Sequence, residues 1–248
     1  MYEDKGYEKA AHLYDLFDTK KNIDFFYQYG KEAGKILDIG AGTGRIAIPL
    51  ALKGIKVVCI EPSPAMRNEF SLKLNHQPNF VDNIILIAAD AESFKLTEVF
   101  PAAFLSGSFD HIPINKRIIS LQNINHHLKL GGKLIFDIYI AGMKNSPLSL
   151  IDTVKKEDFE YKRFIKTKVL PSEILDVLLV YETYKRGKLV EKITQHSTAY
   201  AITRTKVHQL LRETGFVVHK EYSDYQFSPF KKGDSLLIIE AIKKLSNF

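Results

Sequence analysis

A chain of 248 residues, 45% of them hydrophobic, holds enough apolar material for one large core, or one core with an insertion. No apolar run approaches the roughly 20 residues that cross a bilayer, and a single cysteine, Cys59, excludes an internal disulfide framework. The formal charge of +6 is spread over scattered lysines and short pairs such as Lys155-Lys156 and Lys231-Lys232, the pattern of a solvated surface more than of a face built for nucleic acid.

The opening Met1-Tyr2-Glu3-Asp4-Lys5 lacks the apolar character of a secretion signal, so the expected address is the cytoplasm. Tyr7 to Asp18, with Leu13, Leu16 and Phe17, reads as a helix, and Lys21 to Glu32 as a second. Then comes Lys35-Ile36-Leu37-Asp38-Ile39-Gly40-Ala41-Gly42-Thr43-Gly44-Arg45. An apolar run ending in an acid predicts a buried parallel strand, and the glycines after it a tight turn into a helix. Glycine at 40, 42 and 44 lets a ligand lie against the main chain, facing the open N–H groups of the next helix. A dinucleotide pyrophosphate wants G-x-G-x-x-G; here the spacing is D-x-G-x-G-x-G. Asp38 would repel a phosphate and suits a ligand carrying an ammonium or another cation.

Arg45 to Lys53 continues as a helix ended by Gly54, with Pro49 near its first turns. Lys56 to Glu61 is a second buried strand ending in an acid, whose carboxylate can accept two hydrogen bonds from vicinal ribose hydroxyls. In Pro62-Ser63-Pro64-Ala65-Met66, Ser63 suits the N-cap of a helix and Pro64 its first position. Asn83 to Ala89 is the third strand, followed by Asp90-Ala91-Glu92, and Phe100 to Leu105 the fourth, opened by Pro101. The polar loop from Ser106 to Ile112 then falls at the carboxyl end of a central strand, the edge where open α/β sheets bind ligands. His111 lies in it, with a side chain able to take a proton near neutral pH. Ile114 to Lys129 is expected as a helix with Ile114, Ile118, Leu121, Ile124 and Leu128 on its buried stripe. His126 and His127 close that helix, where a cationic side chain is favoured. Leu134 to Ile140 is the fifth strand.

Residues 145–200 change texture. Phe159–Leu170, Ile174–Tyr184 and Leu189–Tyr200 alternate apolar and polar residues, with Arg186-Gly187 as a hairpin turn. Thr203 to Thr214 is a helix ended by Gly215, and Phe216–Phe227 with Ser235–Lys243 forms a final antiparallel pair.

The D-x-G-x-G-x-G turn, Glu61, Asp90, the passage Leu128-Lys129-Leu130-Gly131-Gly132-Lys133-Leu134-Ile135-Phe136-Asp137 and Leu211-Arg212-Glu213-Thr214-Gly215-Phe216 occur in one order. In this the chain resembles the class I S-adenosylmethionine (SAM)-dependent methyltransferases, and among them small-molecule members similar to sugar-amine N-methyltransferases. It departs from them where Pro101 stands for the acid that usually opens the fourth strand. The resemblance implies an α/β fold, a doubly wound Rossmann-like sheet of seven strands with the last antiparallel, and a small antiparallel β insertion after the fifth strand. Residues 1–144 plus 201–248 would form the SAM-binding domain with an N-terminal helical cap. Residues 145–200 would be the inserted subdomain, acting as a lid or joining two copies into a homodimer.

The cofactor implied is SAM, leaving as S-adenosylhomocysteine (SAH). By resemblance its ligands are Tyr27 toward the methionine carboxylate, Asp38, Gly40, Ala41, Gly42 and Gly44 in the turn, and Glu61 with Pro62 and Met66. Asp90 falls where the family holds the adenine amino group, with Ala91 as backbone partner, and Ser106 completes the set. Tyr14, in the triplet Tyr14-Asp15-Leu16, and His111 carry over as the catalytic pair on the acceptor side. Structural roles stand beside these: Tyr14 and Met66 as packing residues, Asp90 as a helix cap, and His111 as a positioning or capping group.

No Asn-Pro-Pro-Tyr motif follows the fourth strand, Cys59 lies in a strand away from any nucleophile position, and no acid set suggests a metal. The expected acceptor is a small-molecule amine or hydroxyl, without a membrane partner. A tRNA, rRNA or protein substrate, or a non-catalytic SAM-binding subunit, are the alternatives.

Overall fold

The computed structural model describes residues 8–17, 22–76, 82–140, 144–171 and 173–244. Tyr7, Asp18 and Lys21, at the margins of the two helices expected near the N-terminus, lie outside that set. β1 (Lys35–Ile39), β2 (Lys56–Ile60), β3 (Ile84–Ile87), β4 (Phe100–Leu105) and β5 (Leu128–Tyr139) are parallel neighbours in the order β5-β4-β1-β2-β3. β6 (Ser146–Lys156), β7 (Phe159–Leu170), β8 (Ile174–Lys185) and β9 (Lys188–Tyr200) form a separate antiparallel sheet. β10 (Phe216–Tyr222) and β11 (Leu236–Lys243) complete the first sheet, with β11 antiparallel to both β5 and β10. The fold is therefore the expected Rossmann-like one: seven strands, the last antiparallel, and a four-stranded insertion after the fifth.

The central strands are mostly apolar because both their faces are covered, with Asp38 of β1 and Asp137 of β5 as buried acids. Leu37, Ile39, Val58, Ile60, Ala103 and Leu105 feed one core, and the alternate residues Ile36, Val57, Cys59, Ala102 and Phe104 feed the other. α1 (Ile23–Ala33), α2 (Ala47–Leu52) and α3 (Pro64–Asn75) cover the second face with Phe25, Phe26, Leu50 and Phe70. α4 (Arg117–His126) and α5 (Arg204–Glu213) cover the first with Leu121, Ile124, Val207 and Leu210.

Local chemistry set most boundaries. Ser63 Oγ accepts from Met66 N at 3.3 Å and Pro64 opens α3, as their types predict. Pro49 is the third residue of α2, where no intrahelical N–H is required. Arg186 and Gly187 both have positive φ, 48° and 78°, as a primed hairpin turn demands.

Three expectations need correction. Ala11–Phe17 is a 3₁₀ segment, not an α-helix. The helix expected over Ile114–Lys129 starts as a 3₁₀ turn, Ile114–Lys116, and Leu128 has already entered β5. Its buried stripe is rotated: Ile114 and Ile118 are 40% and 43% exposed, while Arg117 is 2% exposed. The guanidinium makes three hydrogen bonds to backbone carbonyls, so a charge goes inside and two isoleucines go out. His127 is no cationic cap either. It is buried, its Nδ1 lies 2.8 Å from Asn123 O, and its Nε2 accepts from Leu96 N at 3.1 Å, which requires a neutral ring. The additional strand β6 is largely exposed and rich in polar residues, so it carries little apolar alternation to read.

Candidate active site

Strand order reverses at β1, which has β4 on one side and β2 on the other, so a crevice opens at their carboxyl ends. The glycine loop caps β1 there: Gly40 N and Ala41 N donate to Ile60 O at 2.8 and 3.2 Å. Gly40 has φ +71°, and a Cβ on it would stand 2.6 Å from Ser108 Cβ across the crevice. Ser108 Oγ donates to Ile39 O at 2.9 Å, which holds that approach. At Gly44, φ +81°, a Cβ would meet the Phe70 ring at 2.4 Å. Gly42 differs, with φ +57° and open space beside it.

Above the loop lies a cavity of about 750 Å³. The structure brings Tyr14, Gly40, Gly42, Glu61, Pro62, Met66, Asp90, Ala91, Ser106 and His111 to its wall. A small void beside it is lined by Asp38, Ala41, Thr43 and Arg45 and shares Tyr14, Gly40, Gly42 and Ser106 with the larger space. Gly44 and Tyr27 reach neither. Gly44 serves the contact with Phe70, and the Tyr27 ring lies under Lys53 Nζ, 4.3 Å from its centroid.

The acids of the site are held differently. Asp38 is 2% exposed and its Oδ2 has no hydrogen-bond partner among the described residues. Burial pushes its carboxyl up to about 7, against the pull of Arg45 and with a push from Glu61. Glu61 accepts from Gly42 N at 2.8 Å with Oε2 and from Ser63 N at 2.7 Å with Oε1. Asp90 holds the turn that follows β3: its Oδ1 accepts from Ser93 Oγ at 2.5 Å and its carbonyl from Ser93 N and Phe94 N.

On the opposite wall the 3₁₀ turn Phe109–His111 follows the Ser106–Ser108 loop. His111 Nδ1 lies 3.0 Å from Thr198 O, near the end of β9. A carbonyl only accepts, so in the neutral ring Nδ1 carries the proton and Nε2 the lone pair. Asn22 Nδ2 and Arg45 Nη2 donate to Ser106 Oγ at 3.0 and 3.2 Å, and Arg45 Nη1 donates to Asn22 Oδ1. Asp137, buried at the end of β5, accepts from Gly107 N and from Tyr225 Oη. Burial raises its carboxyl, while those two bonds pull it back. Asn22, Arg45 and Asp137 were not anticipated as parts of the site. Asp137 carries the signal that found Asp38 and Glu61, an acid near the end of an apolar strand. Among the described residues no cluster of three or more His, Cys, Asp or Glu could hold a metal, and no helix is long and apolar enough to cross a membrane.

A model of the methyltransferase domain matches residues 36–132, from β1 into β5. An uncharacterised methyltransferase of Bacillus cereus is 25% identical over 164 residues, covering 62% of this chain and 74% of its own. A SAM-dependent methyltransferase from Clostridium acetobutylicum superposes with a TM-score of 0.79 at 17% identity, covering 96% of this chain and 99% of its own. These matches support a class I SAM-dependent methyltransferase. The amino pentose methyltransferase CalS10 of Micromonospora echinaspora, solved with SAM bound, shares the fold at a TM-score of 0.73 and 16% identity, over 98% of this chain and 100% of its own.

The residues of this methyltransferase fit SAM. A buried carboxylate oxygen without a partner lies beside the loop, where a cationic ligand would satisfy it. The glycine loop leaves the main chain bare at Gly42, and Glu61 stands on the cavity wall.

Proposed function

We propose that this methyltransferase transfers its methyl group to a small-molecule amine, with a hydroxyl compound as the second reading. The observation that carries this is His111. It lines the cavity, and the Thr198 carbonyl holds its proton on Nδ1, leaving Nε2 as the acceptor. SAM supplies an electrophilic methyl on a sulfonium. In our reading Asp38 meets the cationic amino end of the cofactor, Glu61 its ribose hydroxyls, Asp90 and Ala91 its adenine edge, and Pro62 and Met66 pack on the base. Ala41, Gly40 and Gly42 give it room, and Ser106 stands beside the methionine end. Tyr14 and Ser108 flank the acceptor, and His111 Nε2 takes the proton from the attacking amine or hydroxyl. Holding the acceptor in line and excluding water supply the remaining acceleration.

The insertion supports the role of a lid. Tyr181 of β8 packs with Leu13 and Phe17, neighbours of Tyr14, and β9 supplies the carbonyl that holds His111. We assign residues 145–200 to that subdomain and the rest to the SAM-binding domain. A homodimer through the exposed Leu148, Leu150 and Ile151 of β6 belongs to the same reading, and sedimentation tests it. The fold shared with an amino pentose methyltransferase supports an amine. Lysines paired locally with acids, such as Lys133 with Glu32 and Lys192 with Glu182, speak for a solvated surface over a nucleic-acid face.

The test is SAH release from SAM across a panel of amino sugars, simple amines, hydroxyl compounds and bulk tRNA. Turnover on an amine that drops roughly 10²–10⁴-fold in His111→Ala, with SAH affinity kept, is the expected result. Turnover on RNA alone would overturn the acceptor class, and SAH binding without turnover on any acceptor would favour a non-catalytic subunit.

A further inference from the structure

Arg117 is a buried cation that no cofactor contact explains. Its Nε donates to Ile112 O at 3.1 Å, its Nη1 to Ala201 O at 3.3 Å, and its Nη2 to Tyr200 O. The guanidinium carbon lies 5.1 Å from the centre of the Phe109 ring. These contacts join two segments that are far apart in sequence. Phe109 and Ile112 bracket His111, while Tyr200 and Ala201 carry the chain out of the insertion. Two residues before Tyr200 stands Thr198, whose carbonyl faces His111 Nδ1 at 3.0 Å.

Two links therefore span the same seam, one through Arg117 and one through the imidazole. A planar guanidinium with five donors can serve carbonyls of both segments at once; an ammonium is a point charge and cannot reproduce the fork. With the seam closed, a carbonyl stands opposite Nδ1, so the proton sits on Nδ1 and the lone pair on Nε2. A histidine freed from such a partner favours the proton on Nε2, which leaves no acceptor there.

We infer that Arg117 is a positioning residue for His111: by tying Ile112 to Tyr200 and Ala201 it fixes the Thr198 carbonyl against Nδ1 and so sets the tautomer of the ring. The last strand of the insertion is then a strut that keeps His111 in its accepting form. The catalytic consequence rests on His111 as the proton acceptor; the tautomer itself does not, because it is read without any acceptor present.

The experiment is nitrogen-15 NMR of the imidazole rings in the full chain, with SAH added to saturation, on wild type, Arg117→Lys and Arg117→Gln. His111→Asn assigns the signal, and calorimetric titration with SAH checks that the cofactor half is intact. The wild-type ring is expected to carry its proton on Nδ1, and both Arg117 variants to show a mixture of the two tautomers with SAH affinity within about twofold of wild type. A wild-type ring protonated on Nε2 overturns the inference at once, whether or not a variant folds. A ring that stays on Nδ1 in folded Arg117→Lys and Arg117→Gln overturns it too. A mixture of tautomers with unchanged turnover on the best amine of the panel upholds the positioning role and removes His111 from the proton transfer instead.

Discussion

Asp15 Oδ1 accepts a hydrogen bond from Thr43 Oγ1 at 2.6 Å, and Asp15 Oδ2 pairs with Lys73, which itself donates to Thr43 O at 2.7 Å. The 3₁₀ segment that carries Tyr14 is thus bolted to the glycine loop through the next residue in sequence. In the proposed reading of the site, this contact would couple the cofactor side of the cavity to the acceptor side.

Asp15→Ala should therefore weaken SAH binding although Asp15 itself lines no part of the cavity. Loss of a charged hydrogen bond and a partly exposed ion pair, at about 1–2 kcal/mol, corresponds to roughly 5–30-fold in affinity. Calorimetric titration with SAH measures it. Wild-type affinity in the variant would mean that the cap docks without influence on the loop.

The three glycines of the loop should separate by cause. Gly44→Ala forces a left-handed φ on alanine and drives a methyl into Phe70, at roughly 2–5 kcal/mol, on the order of 10 °C in Tm. Gly42→Ala meets nothing within 4 Å, so it carries the φ strain alone, about 1–2 kcal/mol, yet it adds a methyl at a residue that lines the cavity. Thermal melts should rank Gly44→Ala below Gly42→Ala, while SAH affinity falls in folded Gly42→Ala. Equal melts would sink the assignment of Gly44 to packing.

Those glycines also mark what the sequence makes legible. Spacing announced the turn, and apolar runs ending in Asp38, Glu61 and Asp90 announced the crevice, because a parallel strand buried on both faces has a one-dimensional signature. Spacing did not distinguish Gly44, whose demand comes from Phe70 in the next helix but one. Arg117 was hidden for a related reason: apolar periodicity assumes that charge faces water, and its three carbonyl partners come from Ile112 and the distant Tyr200 and Ala201. Tyr27 was carried to the cavity by likeness of a short segment, and the rotation of α1 sets it against Lys53 instead. Interactions made by one element are written in its own pattern, and those that join three are not.

Glu61 gives a graded test. Its two oxygens accept from Gly42 N and Ser63 N, so the carboxylate holds the loop as well as facing the cavity. Glu61→Gln keeps the shape but turns an NH₂ toward one of those donors, leaving one buried N–H unpaired at about 1–3 kcal/mol; Glu61→Ala leaves both. Chemical denaturation should order the proteins wild type, Glu61→Gln, Glu61→Ala in falling stability, and both variants should lose more than tenfold in SAH affinity. A fully stable Glu61→Ala would show that the loop holds itself.

Asp38 makes the protein pH-sensitive in a direction opposite to most carboxylates. Burial raises it from the ordinary 3.8 to about 7, so between those values the folded state holds a proton that the unfolded state has released. Stability of the ligand-free protein should be greatest near pH 4 as far as Asp38 is concerned, fall at up to roughly 1.4 kcal/mol per pH unit, and level off above 7. Asp110, raised to about 6 by burial, adds a slope of the same sign, so Asp38→Asn should flatten the profile without abolishing it. Ligand binding should run the other way. A cationic amino group beside Asp38 needs the carboxylate ionised, so SAH affinity should rise by up to about tenfold per unit from pH 5.5 to 7 and then level off. In Asp38→Asn that rise should vanish. Denaturation and calorimetry over the same buffers give both curves, and an SAH affinity in wild type that ignores pH across this window would remove Asp38 from contact with a cation.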